Sequence, residues 1–210
     1  MTAPSIDILI GNFDRALRVI SGQARASRAN PAASLEEATL SENEQKHAAG
    51  LMRVNHVGEI CAQALYDSQA VFSRDQKVRE QFKHSGIEEE DHLAWTAERL
   101  QQLNSHTSIL NPIWYVGAYA CGLAAGACGD AVSLGFVVET EKQVEAHLES
   151  HLEKLPMQDA KSRAIVDQMR IDEINHGDAA SKLGAQDLPA PVKGLMKVMA
   201  KVMTSTAYHV

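Results

Sequence analysis

The sequence predicts an all-α chain, a bundle of four long helices with an amphipathic helix added at each end. Apolar residues recur at intervals of three and four along most of its 210 residues. No stretch shows the apolar–polar alternation of a strand bounded by turn residues. Capping residues, prolines and glycines cut the helical pattern into segments of ordinary helix length.

The elements follow in order. Ile6, Leu9, Ile10, Phe13, Leu17 and Ile20 share one helical face and predict a short amphipathic helix. Residues 21–40, SGQARASRANPAASLEEATL, are small and polar and read as a linker. The chain thus divides into 1–40, helix and linker, and 41–210, a single domain. Ser41 and Glu44 have capping-box spacing and open a helix to about Phe72. A second helix occupies about 75–103, and NSHTSILNP ends it. IWYVGAYACGLAAGACGDAVSLGFVV is unusually apolar and rich in small residues, and leads into a third long helix ending at KLP. A fourth covers about 159–183. GAQDLPAPVKG then turns the chain into the amphipathic LMKVMAKVMTSTAY.

Composition narrows the function. A formal net charge of −7 speaks against a nucleic-acid partner. Three cysteines, Cys61, Cys121 and Cys128, without a C-x-x-C pair indicate neither a disulfide framework nor a zinc ribbon, and fit a reducing, cytoplasmic-side location. The N-terminus lacks the basic start and long apolar run of a signal peptide.

Chemistry enters with IEEEDHLAW, residues 87–95, which contains Glu89-x-x-His92. Chance placement of the 16 Glu and nine His gives about 0.7 such pairs, and the sequence has three. Glu44–His47 sits at a helix start where Glu44 has a cap to make. Glu89–His92 and Glu173–His176 fall inside helices, and EEEDH and DEINH each place an acidic residue before the glutamate. Positions i and i+3 lie on one helix face, so both side chains of a pair can reach one ion. A four-helix bundle holding two metals needs two such pairs plus a single glutamate from each of two other helices. Glu59, 30 residues before Glu89, supplies one. For the other, Glu145 lies 28 residues and Glu141 32 residues before Glu173, and helical periodicity and loop length admit either. Glu139 also precedes Glu173 at a plausible distance. Four carboxylates and two imidazoles suit iron or manganese better than zinc.

RVNHVGE (53–59), EEEDHL, VEAHLESH and DEINHGD together resemble the demethoxyubiquinone hydroxylases of ubiquinone biosynthesis, ferritin-like di-iron monooxygenases. The likeness spans roughly 45–208. It implies two iron ions per chain, held by Glu59, Glu89, His92, Glu145, Glu173 and His176, with Glu89 and Glu173 bridging. VEAHLESH, similar to the family's V-E-x-x-I-x-x-H, is what favours Glu145 over Glu141. His56, His151 and Asp172 are candidates for orienting these groups, and Glu88 could serve as Asp172 does. The reaction implied is O2-dependent hydroxylation of the ring of a demethoxylated polyprenyl benzoquinol. No G-x-G-x-x-G fingerprint occurs, so the electrons come from a partner, from NADH or from the quinol itself. Other ubiquinone-biosynthesis proteins and a second copy of the chain are further partners the resemblance admits. Rival readings are an iron-storage protein of the ferritin type, a tRNA hydroxylase and a metal-free membrane adaptor.

Ile113–Gly129 is seventeen residues without a charge, with Trp114, Tyr115 and Tyr119 at its start, before Asp130 interrupts it. This predicts a helix lying on or dipping into one leaflet, and a peripheral place on the cytoplasmic face of the inner membrane in a bacterium.

Overall fold

A computed structural model describes residues 14–210. Among them the only regular structure is helical: residues 14–20, then α1 (Glu42–Phe72), α2 (Gln76–Gln102), α3 (Asn111–Ala127), α4 (Asp130–Lys154), α5 (Ala160–Lys182) and α6 (Ala190–Ala207). Ile6, Leu9, Ile10 and Phe13 of the expected N-terminal helix lie outside the described residues. Of its described part, Val19 is buried while Leu17 is exposed.

The four-helix bundle is α1, α2, α4 and α5. Ser41 caps α1 as its spacing predicts, its side chain and that of Glu44 forming both bonds of the box. Three residues join α1 to α2, and the main-chain N–H groups of Arg74 and Asp75 in that turn donate to Asp130 at the start of α4. α4 and α5 form the second hairpin. α1 packs on α2, α4 on α5, and α2 on α5. α3 is the long crossover between the hairpins that this class of bundle uses.

The apolar glycine-rich stretch is two helices rather than the start of one, broken at Cys128–Gly129, where Gly129 has φ +105°. Its small residues serve packing. A Cβ at Gly122 would lie 2.0 Å from Ser68 Oγ, and one at Gly126 would lie 2.8 Å from Phe72 Cβ, so these glycines let α3 close on α1. No helix among the described residues is long and apolar enough to cross a membrane.

The segment expected to be a free linker is instead a strap across α2 and α5. Ala32 is buried in the main apolar core with Trp95 and Ile165. Asn30 Nδ2 donates to Glu98, and Glu37 accepts from the fully buried Arg99 and pairs with Lys161. Asn30, Ala32 and Glu37 thereby pack as part of the bundle.

Candidate metal centre

The four bundle helices point glutamates at one another from fully interior positions. Glu59 shares its heptad register with Met52 and Tyr66, Glu89 with Phe82 and Thr96, and Glu173 with Val166 and Ala180, all buried. Two overlapping groups result. Glu59, Glu89, His92 and Glu173 each bring an atom within 4.8 Å of the others, and so do Glu89, Glu141, Glu173 and His176. Glu89 and Glu173 belong to both.

The glutamate from α4 is Glu141, and this corrects the expectation of Glu145. Glu141 is 3% exposed and takes a 2.5 Å hydrogen bond from Tyr66 Oη, whereas Glu145 is half-buried and belongs to neither group. The physical reason is register. Leu134, Glu141, Leu148 and Leu155 are spaced by sevens and all buried, while Glu145 falls on the flanking row of half-buried Val138 and Leu152. Glu139, though buried, faces elsewhere, toward Gln143 and Lys193.

Each histidine turns one nitrogen inward and one outward. His92 Nδ1 lies 3.4 Å from both Glu59 and Glu89 and 3.5 Å from Glu173; His176 Nδ1 lies 3.2 Å from Glu173 and 3.3 Å from Glu89. Outward, His92 Nε2 donates to Asp172 Oδ2 at 2.9 Å and His176 Nε2 to Glu88 Oε2 at 2.8 Å. The acidic residue before each Glu-x-x-His pair thus holds the histidine of the facing helix, fixing its tautomer and leaving Nδ1 free inward. Burial opposes the charge on Asp172, but the bonds from His92 and Arg28 outweigh it and keep the carboxyl below its ordinary range. The bond from His176 does the same for Glu88. His56 and His151 do not join the centre by hydrogen bonds. His56 is fully buried with both ring nitrogens unpartnered, and burial pushes its pKa down to about 4. His151 lies against His147, ring centroids 3.9 Å apart.

The centre fits a cation on its own evidence. Both carboxylate oxygens of Glu89, Oε1 of Glu173 and Oε2 of Glu141 are buried without a hydrogen-bond donor. Burial and the nearby Glu89 and Glu173 charges push the Glu59 and Glu141 carboxyls well up. Packed carboxylates that lack donors and repel one another require positive charge to ionise together. Their donors are carboxylate oxygens and imidazole nitrogens, with no thiolate, a set that suits a divalent metal ion.

A cleft of about 290 Å³ opens beside the centre. Val54, Asn55, Gly58 and Glu59 of α1 form its floor, α4 gives Val144, His147 and Leu148, and α6 gives Lys197, Lys201 and Met203. Glu59 is common to cleft and cluster. Among the described residues, it is the direct connection between them.

Comparison with known proteins agrees with this architecture. Residues 46–207 match the family model described as Ubiquinone biosynthesis protein COQ7. The chain belongs to that family. It is 63% identical to a 3-demethoxyubiquinol 3-hydroxylase of Herbaspirillum seropedicae, over 98% of this chain and 99% of the relative. Proteins of the same name from Janthinobacterium sp. (strain Marseille) and Herminiimonas arsenicoxydans are 61% and 57% identical, each over 97% of this chain and covering 98% and 97% of those relatives. The family match begins at residue 46 and leaves out the strap.

Proposed function

We propose that this chain is an O2-dependent di-iron monooxygenase that hydroxylates the ring of a demethoxylated polyprenyl benzoquinol in ubiquinone biosynthesis. The observation that carries the proposal is the pair of overlapping carboxylate–imidazole groups sharing Glu89 and Glu173. Glu59, Glu89 and Glu173 with His92 would hold one iron, and Glu89, Glu141 and Glu173 with His176 the other. Four carboxylates balance the charge of two divalent ions with both histidines neutral. Two ferrous ions held there would supply two electrons at one place for O2 activation. Overall, one oxygen atom becomes the ring hydroxyl and the other leaves as water, consuming two electrons and two protons from a reductant.

The cleft gives the substrate its approach. Its volume suits one substituted ring rather than a whole polyprenyl quinol. The isoprenoid tail therefore leaves along α6, where Val192, Leu195, Val198, Met199 and Val202 are exposed. Lys193, Lys197 and Lys201 follow at four-residue spacing on the same helix, the pattern of a helix lying on an anionic bilayer. Ile109, Ile113 and Val116 expose further apolar surface around the start of α3, where Trp114 packs with Met203 of α6 against Val54 and Val57. This supports a peripheral place at a membrane surface, with the cytoplasmic face of the inner membrane as the proposed one.

Purified protein should contain close to two irons per chain and convert a demethoxyquinol to the hydroxylated product with one atom of labelled oxygen incorporated. Stoichiometric zinc and no iron after growth in iron-replete medium would count against the metal assignment. Normal ubiquinone in cells lacking the protein, with no related enzyme present, would refute the substrate. Replacing Leu195, Val198 and Val202 by serine should release the protein from anionic vesicles.

A further inference from the structure

The strap delivers one side chain to the back of the metal centre, and it contacts the outer partners of both histidines. Arg28 Nη2 donates to Asp172 Oδ2 at 2.8 Å, the same oxygen that accepts from His92 Nε2. Its Nη1 lies 3.5 Å from Glu88 Oε1, while Glu88 Oε2 accepts from His176 Nε2. Its Nε donates to the fully buried Asp91 at 2.5 Å, and Asp91 also accepts from the Ser27 main-chain N–H and hydroxyl. The guanidinium sits over the Trp95 ring, 5.0 Å from the centroid. Three of its nitrogens thus face three carboxylates, two on α2 and one on α5.

We propose that Arg28 is a positioning residue that sets the orientation and donor strength of His92 and His176 together, through Asp172 and Glu88. This rests on reading the cluster as a metal centre. A carboxylate behind an imidazole fixes the ring and raises its basicity as a ligand. A guanidinium behind that carboxylate neutralises part of its charge and fixes its plane, which a rigid fork does and a flexible ammonium does not. Because one guanidinium spans both carboxylates, it also ties α2 to α5 at the level of the two imidazoles. Arg28 lies outside the residues the family model matches.

The test uses Co(II) as probe, titrated into metal-depleted full-length protein and followed by its visible ligand-field absorption, so that turnover plays no part. Arg28→Met should weaken Co(II) binding about tenfold or more and shift the absorption. Arg28→Lys, which keeps the charge but cannot span Asp172, Glu88 and Asp91, should shift the absorption by a smaller amount. Glu37→Gln loosens the strap at Arg99 and Lys161 without touching these carboxylates, and should leave affinity and spectrum unchanged. Wild-type affinity and spectrum in Arg28→Met would overturn the proposal, as would an equal change in Glu37→Gln. Should Arg28→Met not fold, a wild-type spectrum in Arg28→Lys overturns it instead. Wild-type protein that takes up no Co(II) would overturn the metal-centre reading and this inference with it, which separates the two failures.

Discussion

Replacing Glu141 by glutamine should change stability in opposite directions with and without metal. Without metal, Glu141 is buried beside Glu89 and Glu173, and its carboxyl is pushed well above its ordinary value. Each pH unit over which the native state holds a proton that the unfolded chain releases costs the native state about 1.4 kcal/mol. Glutamine does not carry that cost, and its amide oxygen can still accept from Tyr66, preserving a bond worth about 1 kcal/mol. Metal-free Glu141→Gln should therefore melt at or above wild type. With metal bound the sign reverses. Loss of an outer partner already costs 10–100-fold in metal affinity, so loss of a direct ligand should cost at least about 100-fold. At fixed metal concentration that removes about 2.7 kcal/mol of binding stabilisation. For a chain of this size the melting midpoint then falls by about 5–10 °C. Glu145→Gln, at a half-buried site outside both groups, should stay within about 0.5 kcal/mol of wild type in either state. Thermal melts with and without Fe(II) under anaerobic conditions give both signs. A crossover in Glu145→Gln with none in Glu141→Gln would refute the reasoning.

Four further outcomes follow from the structure. Between pH 7 and 8.5 the metal-free protein should lose stability as pH rises, and bound metal should remove that slope in melts across the range. Hydrogen bonds to carboxylates outweigh burial and raise His92 and His176, and Glu59 and Glu141 are raised as well, so the stability these groups contribute is full below their unfolded values and lost upward. Burial lowers His56, His147 and His151, whose contribution is lost as pH falls and is already complete above pH 7. Gly135→Ala should destabilise by about 3 kcal/mol in denaturant titration, because its Cβ would lie 1.9 Å from the Gln186 main-chain oxygen. Gly194→Ala, with open space around it in α6, should instead stabilise by about 0.5–1 kcal/mol. Arg99→Met should cost about 3–5 kcal/mol, since it leaves the fully buried Asp159 without its guanidinium.

What the sequence disclosed about the site depended on how local each signal was. Ser41–Glu44, Glu89–His92 and Glu173–His176 are written within one helical turn, so spacing alone carries their geometry, and the structure shows each arrangement. Asp172 and Glu88 were legible as a repeated acidic neighbour, and their bonds to the histidines of opposite helices give that repeat its purpose. Glu141 is a different case. It and Glu145 are one helical turn apart, so a count of periodic positions admits both, and a short segment likeness favoured Glu145. The heptad decides for Glu141: the long bundle helices keep one row inward by sevens, and Glu59, Glu89, Glu141 and Glu173 each share a row with fully buried neighbours. In the sequence Val138–Glu145–Leu152 is an equally apolar row, and only the burial of Leu134, Leu148 and Leu155 marks the row of Glu141 as the inward one. Arg28 had no such signal. Its partners Asp91 and Asp172 are 63 and 144 residues away, and it sits in a small, polar stretch with the composition of a linker. Its place depends on the strap's path over α2 and α5, set by the burial of Ala32 and the anchoring of Glu37 on Arg99. Residues that bind through their own helix are legible in one dimension, whereas a side chain that joins two helices from a third segment becomes visible only once the packing is known.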